Sequence, residues 1–551
     1  MKSKKFGIRT IGAIIIVTVV IIGFHTYNNL KIQTSTFDEK WGRGVEIGES
    51  GLNRSPLISN IENNILVLTF TRSGNINYYL IDEKGSILKN DSMKLENFNA
   101  NKSYDIYLEG NNLFYLKDNK VYISKFDEIS GFNESKEILT GASGLRVDEV
   151  LGELLIQTYG NDDNKITISS FKDNKIAGEF SYKVNNEITD AFVRQINDQK
   201  YLFFSIMPDV NRKELHIGKI INDKLEDIHM VENRPVSSYM DFKDINAVTI
   251  DEKIYLGYTT TQNVKGITNK FKRFKIIDGN TLEVLNSNYI SEIKLQGILG
   301  DEFQFVKFDD KVNIFGSSIN NKSNYSEMRD IFRVEINNKG ELSEPYYISN
   351  TEKISKKPKF LKSSNGSYLC WLDNGTTNDR LMINSTNKNF IKESRDFTKH
   401  DFFNSTTKSL IVPFYAIAYI FFRGINIIFA VAIAYLILGF TIRKLKVDSD
   451  KIKFICFAAL YVILNFIMFK NDFYRSGFIT YMPRALSFDF ARYIMPLLIN
   501  LVSFIIMSLY YTKDRRVNYL AYIVMFIGID IFLNYLIYVP FIVRAQKGFI
   551  I

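Results

Sequence analysis

The chain has 551 residues, 14% of them aromatic and 23% charged, with a formal net charge of +9 and a mean hydropathy of -0.07. Its positive charge is dispersed, without a basic helix or an Arg-rich patch, which argues against nucleic acid as a partner. Only two cysteines occur, Cys370 and Cys456, in segments of opposite character, so a disulfide framework is excluded.

Residues 1–10 carry Lys2, Lys4, Lys5 and Arg9 ahead of an uncharged apolar run, residues 11–24 (IGAIIIVTVVIIGF). With its flanks this run reaches the ~17–20 residues that cross a bilayer. The basic side is expected to stay in the cytoplasm, sending the downstream chain outside. A cleaved signal peptide is the rival reading, but no A-x-A-like pair of small residues comes after Phe24.

Residues 38–403 read as repeated β-strands. Apolar strands recur at 65–70, 112–116, 153–159, 201–207, 253–259, 311–317 and 367–372, each followed by a second strand and, after a polar turn, usually a third. The repeat of roughly 40–60 residues suits a four-stranded blade. Seven units predict an all-β, extracytoplasmic β-propeller of about seven blades, with a β-sandwich array as the alternative. Pro56–Phe70 and Pro358–Leu372 share the same spacing from proline to strand. They are the first and last units, so closure of the ring places the domain's two ends close together. The blade pattern is similar to generic propeller repeats. Neither the S-x-D-x-G-x-T-W turn of sialidase-type propellers nor a WD-repeat signature is present, so the resemblance implies a fold class and no site residues.

Residues 410–423 (LIVPFYAIAYIFF and Arg423) are apolar but short, and are expected to form an interfacial or re-entrant helix. Residues 425–543 predict four spans, at 425–442, 454–469, 493–511 and 519–543, giving five in all. The basic clusters Arg443, Lys444, Lys446 and Lys513, Arg515, Arg516 mark the cytoplasmic turns. Residues 544–551 are then an external tail, in a plasma-membrane protein whose abundance of Asn, Lys and Ile looks like the coding bias of an AT-rich bacterium.

Asp530 falls in the middle of the last span, with Asn534 one turn on, and Asn500 lies mid-span in the preceding helix. A carboxylate at that depth should face the bundle. This polar seam has three readings: helix glue, a contact for a basic residue of a partner subunit, or a proton or ion relay. The loop from Lys470 to Arg492 offers Arg475 and Arg484 which, with Arg423, form a possible interface to the propeller or to anionic headgroups.

Motifs for zinc peptidases, serine hydrolases, P-loops and dinucleotide folds are missing, and no catalytic residue or cofactor is expected. His216 and His229 share one blade but lack further metal ligands. The turns at Asp162–Asn164 and at Asp373–Gly375 with Asp379 carry oxygen ligands for calcium, yet fit ordinary hairpin chemistry better. Trp371, Tyr78, Tyr79, Phe114 and Tyr115 suit blade packing more than sugar stacking. The reading favoured by the sequence is a membrane protein that displays a propeller to bind a wall glycan, a peptide or a partner protein. Its alternatives are an accessory subunit of a transport or export complex, recruited through the C-terminal spans, and a surface polysaccharide-active enzyme.

Overall fold

The computed structural model describes residues 2–36, 38–95, 98, 100, 105–160, 164–237, 240–264, 267–290, 303–320, 329–351, 353–444, 449–479, 481–510 and 519–547. The chain forms two compact units. One runs over Thr36–Asn321 and Met328–Asp396, and the other joins Met1–Ser35 to Phe397–Ile551.

The first unit is a seven-bladed β-propeller, each blade an antiparallel sheet. Its innermost strands are Leu57–Ile61, Ile106–Glu109, Gly144–Val150, Glu187–Ile196, Met240–Ile250, Gln304–Phe308 and Ser355–Ser363. Each packs on the next, and the last packs on the first, so the ring is closed. The apolar strands picked out by the sequence are the second strand of each blade, not the inner one. The physical reason is burial. Leu66, Val67 and Leu68 in the second strand of blade 1 are all fully buried, so both faces read as apolar. The innermost strands alternate apolar residues with Arg, Asp and Asn, which hides them from a hydrophobicity search.

Turn chemistry sets the blade registers. Asp118–Asn119, Asp173–Asn174, Asn222–Asp223 and Asp309–Asp310 all have φ between 49° and 62°. These are two-residue hairpin turns whose left-handed backbone Asn and Asp tolerate best.

Blade 7 is completed by the chain's first strand, Val45–Ser50, which pairs with Asp379–Ser385 from Val45↔Ile383 to Ser50↔Asp379. Gly48 is required here, because a Cβ would sit 2.2 Å from the Tyr79 ring. The two ends of the unit are tied together. Arg395 donates to the carbonyls of Glu39 and Trp41 at 3.1 and 2.9 Å, and Arg333 pairs with Asp38 at 3.0 Å with both side chains buried.

The chain's helices are α1 (Lys2–Gln33), α2 (Lys388–Arg395), α3 (Lys399–Leu410), α4 (Val412–Tyr419), α5 (Ile425–Lys444), α6 (Asp450–Phe473), α7 (Ser476–Ile479), α8 (Arg484–Ser487), α9 (Ala491–Tyr510) and α10 (Tyr519–Lys547). All but α2 lie in the second unit. Among the described residues, four stretches are long and apolar enough to cross a membrane: Arg9–Gln33, Lys388–Phe422, Ala491–Leu509 and Leu520–Ala545. Three of the five expected spans, at 11–24, 493–511 and 519–543, correspond to these stretches. The fourth stretch, Lys388–Phe422, covers the segment expected to be interfacial, and the expected span at 454–469 is the shorter apolar helix Ile452–Ile467. The expected span at 425–442 falls within α5, where many side chains lie outside the described residues.

Two segments differ from expectation. The helix around residues 11–24 continues to Gln33, with Thr26, Asn28 and Asn29 buried and Asn29 donating to Ser409 Oγ at 3.1 Å. Segment 410–423 leads through a π turn, Ile420–Gly424, into α5. Val412 and Ala416 are fully buried in the helical core, where α4 packs on α10.

Candidate functional site

Polar chemistry concentrates in three places, two in the propeller and one in the helical unit. The first lines the axis of the ring. Arg146, on the innermost strand of blade 3, meets Asp190 of blade 4 through two hydrogen bonds of 3.2 and 3.0 Å, and also donates to the Ile245 carbonyl of blade 5. The pairing is reciprocated one step along. Arg194 of blade 4 binds Asp148 of blade 3 at 2.8 Å and donates to the Ala247 carbonyl and Asn246 Oδ1 of blade 5. Both guanidinium groups lie over the Phe192 ring, at 5.4 and 4.9 Å. The forked Arg146–Asp190 pair and the single Arg194–Asp148 contact fix the relative setting of three blades.

Glu109, at the end of the innermost strand of blade 2, is different: it forms no ion pair among the described residues. Burial pushes its carboxyl up to about 7, and the nearby Asp148 pushes the same way, against Lys359 and Arg194. Charges from blades 2, 3, 4 and 7 thus act on one another near the axis.

The second cluster bridges blades 6 and 7. Asp330 accepts from Asn320 Nδ2 at 2.8 Å and Ser349 Oγ at 2.9 Å, and Asp373 accepts from Ser355 Oγ at 2.7 Å and Trp371 Nε1 at 2.8 Å. The two serine hydroxyls are 3.2 Å apart, so the carboxyls are joined by a continuous chain. Burial raises Asp330 to about 7 and Asp373 to about 6, although the hydrogen bonds they accept oppose it.

The third cluster surrounds Asp530 on α10, which is fully buried. Its Oδ2 accepts from Tyr461 Oη at 2.8 Å, Asn465 Nδ2 at 2.9 Å and Asn534 Nδ2 at 2.9 Å, and its Oδ1 from Ser503 Oγ at 3.2 Å. A separate ladder runs along α1 at four-residue spacing. Gln33 accepts from Ser405, Asn29 donates to Ser409, and His25 meets the Leu536 carbonyl at 3.0 Å.

The structure thus brings Asn534 to Asp530 and adds Tyr461, Asn465 and Ser503. Asn500 turns its amide to the Pro496 carbonyl of its own helix at 2.7 Å. Arg475 and Arg484 are exposed, and Arg423 lies in the π turn with its side chain outside the described residues. Trp371, Tyr78, Tyr79, Phe114 and Tyr115 are all buried in blade packing. His216 sits 3.0 Å from Glu214 and stacks on Phe204, while His229 lies opposite Ile217. Asp379 is held by Lys356 at 2.9 Å. Asp162 and Asp163 lie outside the described residues, as do Lys446, Lys513, Arg515, Arg516 and 548–551 of the tail.

Sequence reading missed the axial charges and Tyr461. An available signal was Tyr461 and Asn465 at i,i+4 in one apolar helix, matching Asp530 and Asn534 in another.

No protein-family model matches the chain, and no curated protein matches it significantly. Among solved structures it is similar to the WD40 domain of Toxoplasma gondii coronin, at 14% identity over 67% of this chain and 89% of that one, with a TM-score of 0.40. It is also similar to the β-propeller domain of the trilobed protease of Pyrococcus furiosus (13% identity, 60% and 96% covered, TM-score 0.35). A third is the WD40 domain of SCAP from fission yeast (10% identity, 64% and 100% covered, TM-score 0.33). At these scores the likenesses carry no functional argument; the blade count rests on the strands themselves.

Proposed function

We propose that this is an integral membrane protein that displays its propeller outside the cytoplasm and uses the axial region of the ring to bind a ligand or a partner protein. The observation that carries the membrane reading is inverted polarity in the helical unit. Ile15, Ile16, Val19 and Val20 of α1, Phe414 of α4, and Leu436, Ile437 and Phe440 of α5 are exposed, whereas Asp530, Asn534, Asn465, Asn500 and Ser503 are buried. A water-soluble unit would have the reverse. The binding reading is supported by a rigid, closed ring with ionisable groups from four blades around its axis.

The test is twofold. Alkaline extraction should leave the protein in the membrane pellet, and protease added outside intact cells should cleave it within the propeller. Release at alkaline pH, or cleavage only after lysis, overturns the reading. Affinity purification of the intact protein from native membranes then separates a stoichiometric partner from a ligand bound by the ring alone.

A second reading, an enzyme acting on surface polysaccharide, is favoured by one observation. Burial and the nearby Asp148 push the Glu109 carboxyl up to about 7, while Asp148 itself pairs with Arg194, so the two carboxyls have distinct environments. Glu109→Gln would abolish such an activity while leaving binding in place.

A further inference from the structure

The helical unit buries a carboxylate, Asp530, and two amide oxygens, those of Asn500 and Asn534, that lack a hydrogen-bond partner among the described residues. Helix directions are set by the contacts. Phe454 and Phe466 of α6 meet Phe504 and Tyr493 of α9, so these two run antiparallel. Tyr461 and Phe473 of α6 meet Phe526 and Tyr538 of α10, so those two run parallel. Helices α9 and α10 are therefore antiparallel, in register at Ser503 and Asp530.

From that level, Asn500 lies about one turn back along α9 and Asn534 one turn forward along α10, in the same direction. Both are buried, and the Oδ1 atoms of both have no hydrogen-bond partner among the described residues. Their amide nitrogens are already committed, to the Pro496 carbonyl and to Asp530. No Lys, Arg or His among the described residues forms an ion pair with Asp530.

A buried carboxylate surrounded by four donors is solvated, but ionising it in a low-dielectric interior costs heavily unless a positive charge offsets it. Two unsatisfied amide oxygens on residues about one turn away along α9 and α10 add to the negative potential. Hard oxygen ligands with one formal charge suit an alkali cation and not a transition metal. We propose that Asp530, Asn534 and Asn500 line a site for one monovalent cation of the sodium class inside the helix bundle. The proposal stands on the bundle alone and is independent of the propeller's ligand.

The test uses the full-length protein in detergent micelles. Equilibrium binding of radioactive sodium should reach one ion per chain. The melt of the helical circular dichroism signal should move upward with each tenfold rise in sodium chloride, ionic strength being held with choline chloride. Asp530→Asn should abolish both effects. Asn534→Leu and Asn500→Leu keep the carboxylate and should each shift the sodium midpoint at least about tenfold upward. Both tryptophans, Trp41 and Trp371, belong to the propeller, so their fluorescence serves as an internal control that should not respond to sodium. Absence of sodium binding by the wild-type protein overturns the proposal, whatever the variants do. So does a melt that responds to pH but equally to sodium and choline, which would make the occupant a proton.

Discussion

In the propeller, Leu66, Phe114, Phe203 and Trp371 are fully buried and the charged side chains lie at the axis, at blade junctions or in solvent. In the helical unit, Phe422 and Phe440 are among the most exposed large side chains while Asp530 and Ser503 are fully buried. The difference teaches how one chain meets the demand that buried polar groups be paired. The propeller pairs full charges, as in Arg146–Asp190 and Arg333–Asp38. In the helices the mid-helix carboxylate of Asp530 is paired with neutral donors, and the buried Arg544 lies near the end of α10, over the Tyr481 ring at 5.4 Å.

That contrast can be broken most forcefully at Trp371→Ala. The side chain fills the junction of blades 6 and 7 and donates to Asp373, so removal should cost about 3–5 kcal/mol. Chemical denaturation followed by far-ultraviolet circular dichroism would report it. A loss below about 1 kcal/mol would mean that the junction does not hold the ring.

Arg333→Met tests the charged pairs. It leaves Asp38 buried without a cation, and should cost about 3–5 kcal/mol, most of which the double variant with Asp38→Leu should restore. Equal losses in single and double variants would show that packing of Arg333 against Phe308 and Tyr346 matters more than its charge.

A pH titration sharpens the comparison next. The folded-state values of Asp330 and Asp373 are raised, to about 7 and about 6, above an ordinary 3.8. The folded state therefore holds these protons more tightly than the unfolded chain does. Their contribution is fully present below pH ~4 and is lost as pH rises through about 6 to 7. Propeller stability should fall over that window by a few kcal/mol, less whatever other groups add. Asp330→Asn should flatten the slope; an unchanged slope would assign the titration elsewhere.

The smallest effect is expected in the bundle. Asn465→Leu removes one of four donors to Asp530 and should cost only about 1 kcal/mol, since hydrogen bonds between helices in lipid average below that. Measured in a bilayer mimic by steric trapping, a loss as large as that of Trp371→Ala would erase the distinction between the two units.

Much of this architecture is legible in residue order alone. The second and third strands of the blades announce themselves because both faces are buried, and the Asp–Asn hairpin tips because few residues accept their backbone. The apolar helices are visible for the same reason: local composition decides them. The innermost strands were not visible, since Arg146, Asp148, Asp190 and Arg194 interrupt the apolar pattern. Nor was Val45–Ser50, whose partner lies more than 300 residues away at Asp379–Ser385.

The site residues divide along the same line. Asp530 stands out in sequence because a carboxylate in an apolar run is energetically conspicuous, and Asn534 is reached from it by helical periodicity. Tyr461, Asn465 and Ser503 come from two other helices, and Glu109 meets Asp148 and Lys359 only because the ring closes. Sequence by itself determined the features that depend on neighbours along the chain: strand, turn, helix and the depth of one carboxylate. Tertiary structure decided which strand closes the ring and which distant side chains share a proton or a charge, because those energies depend on separation in space.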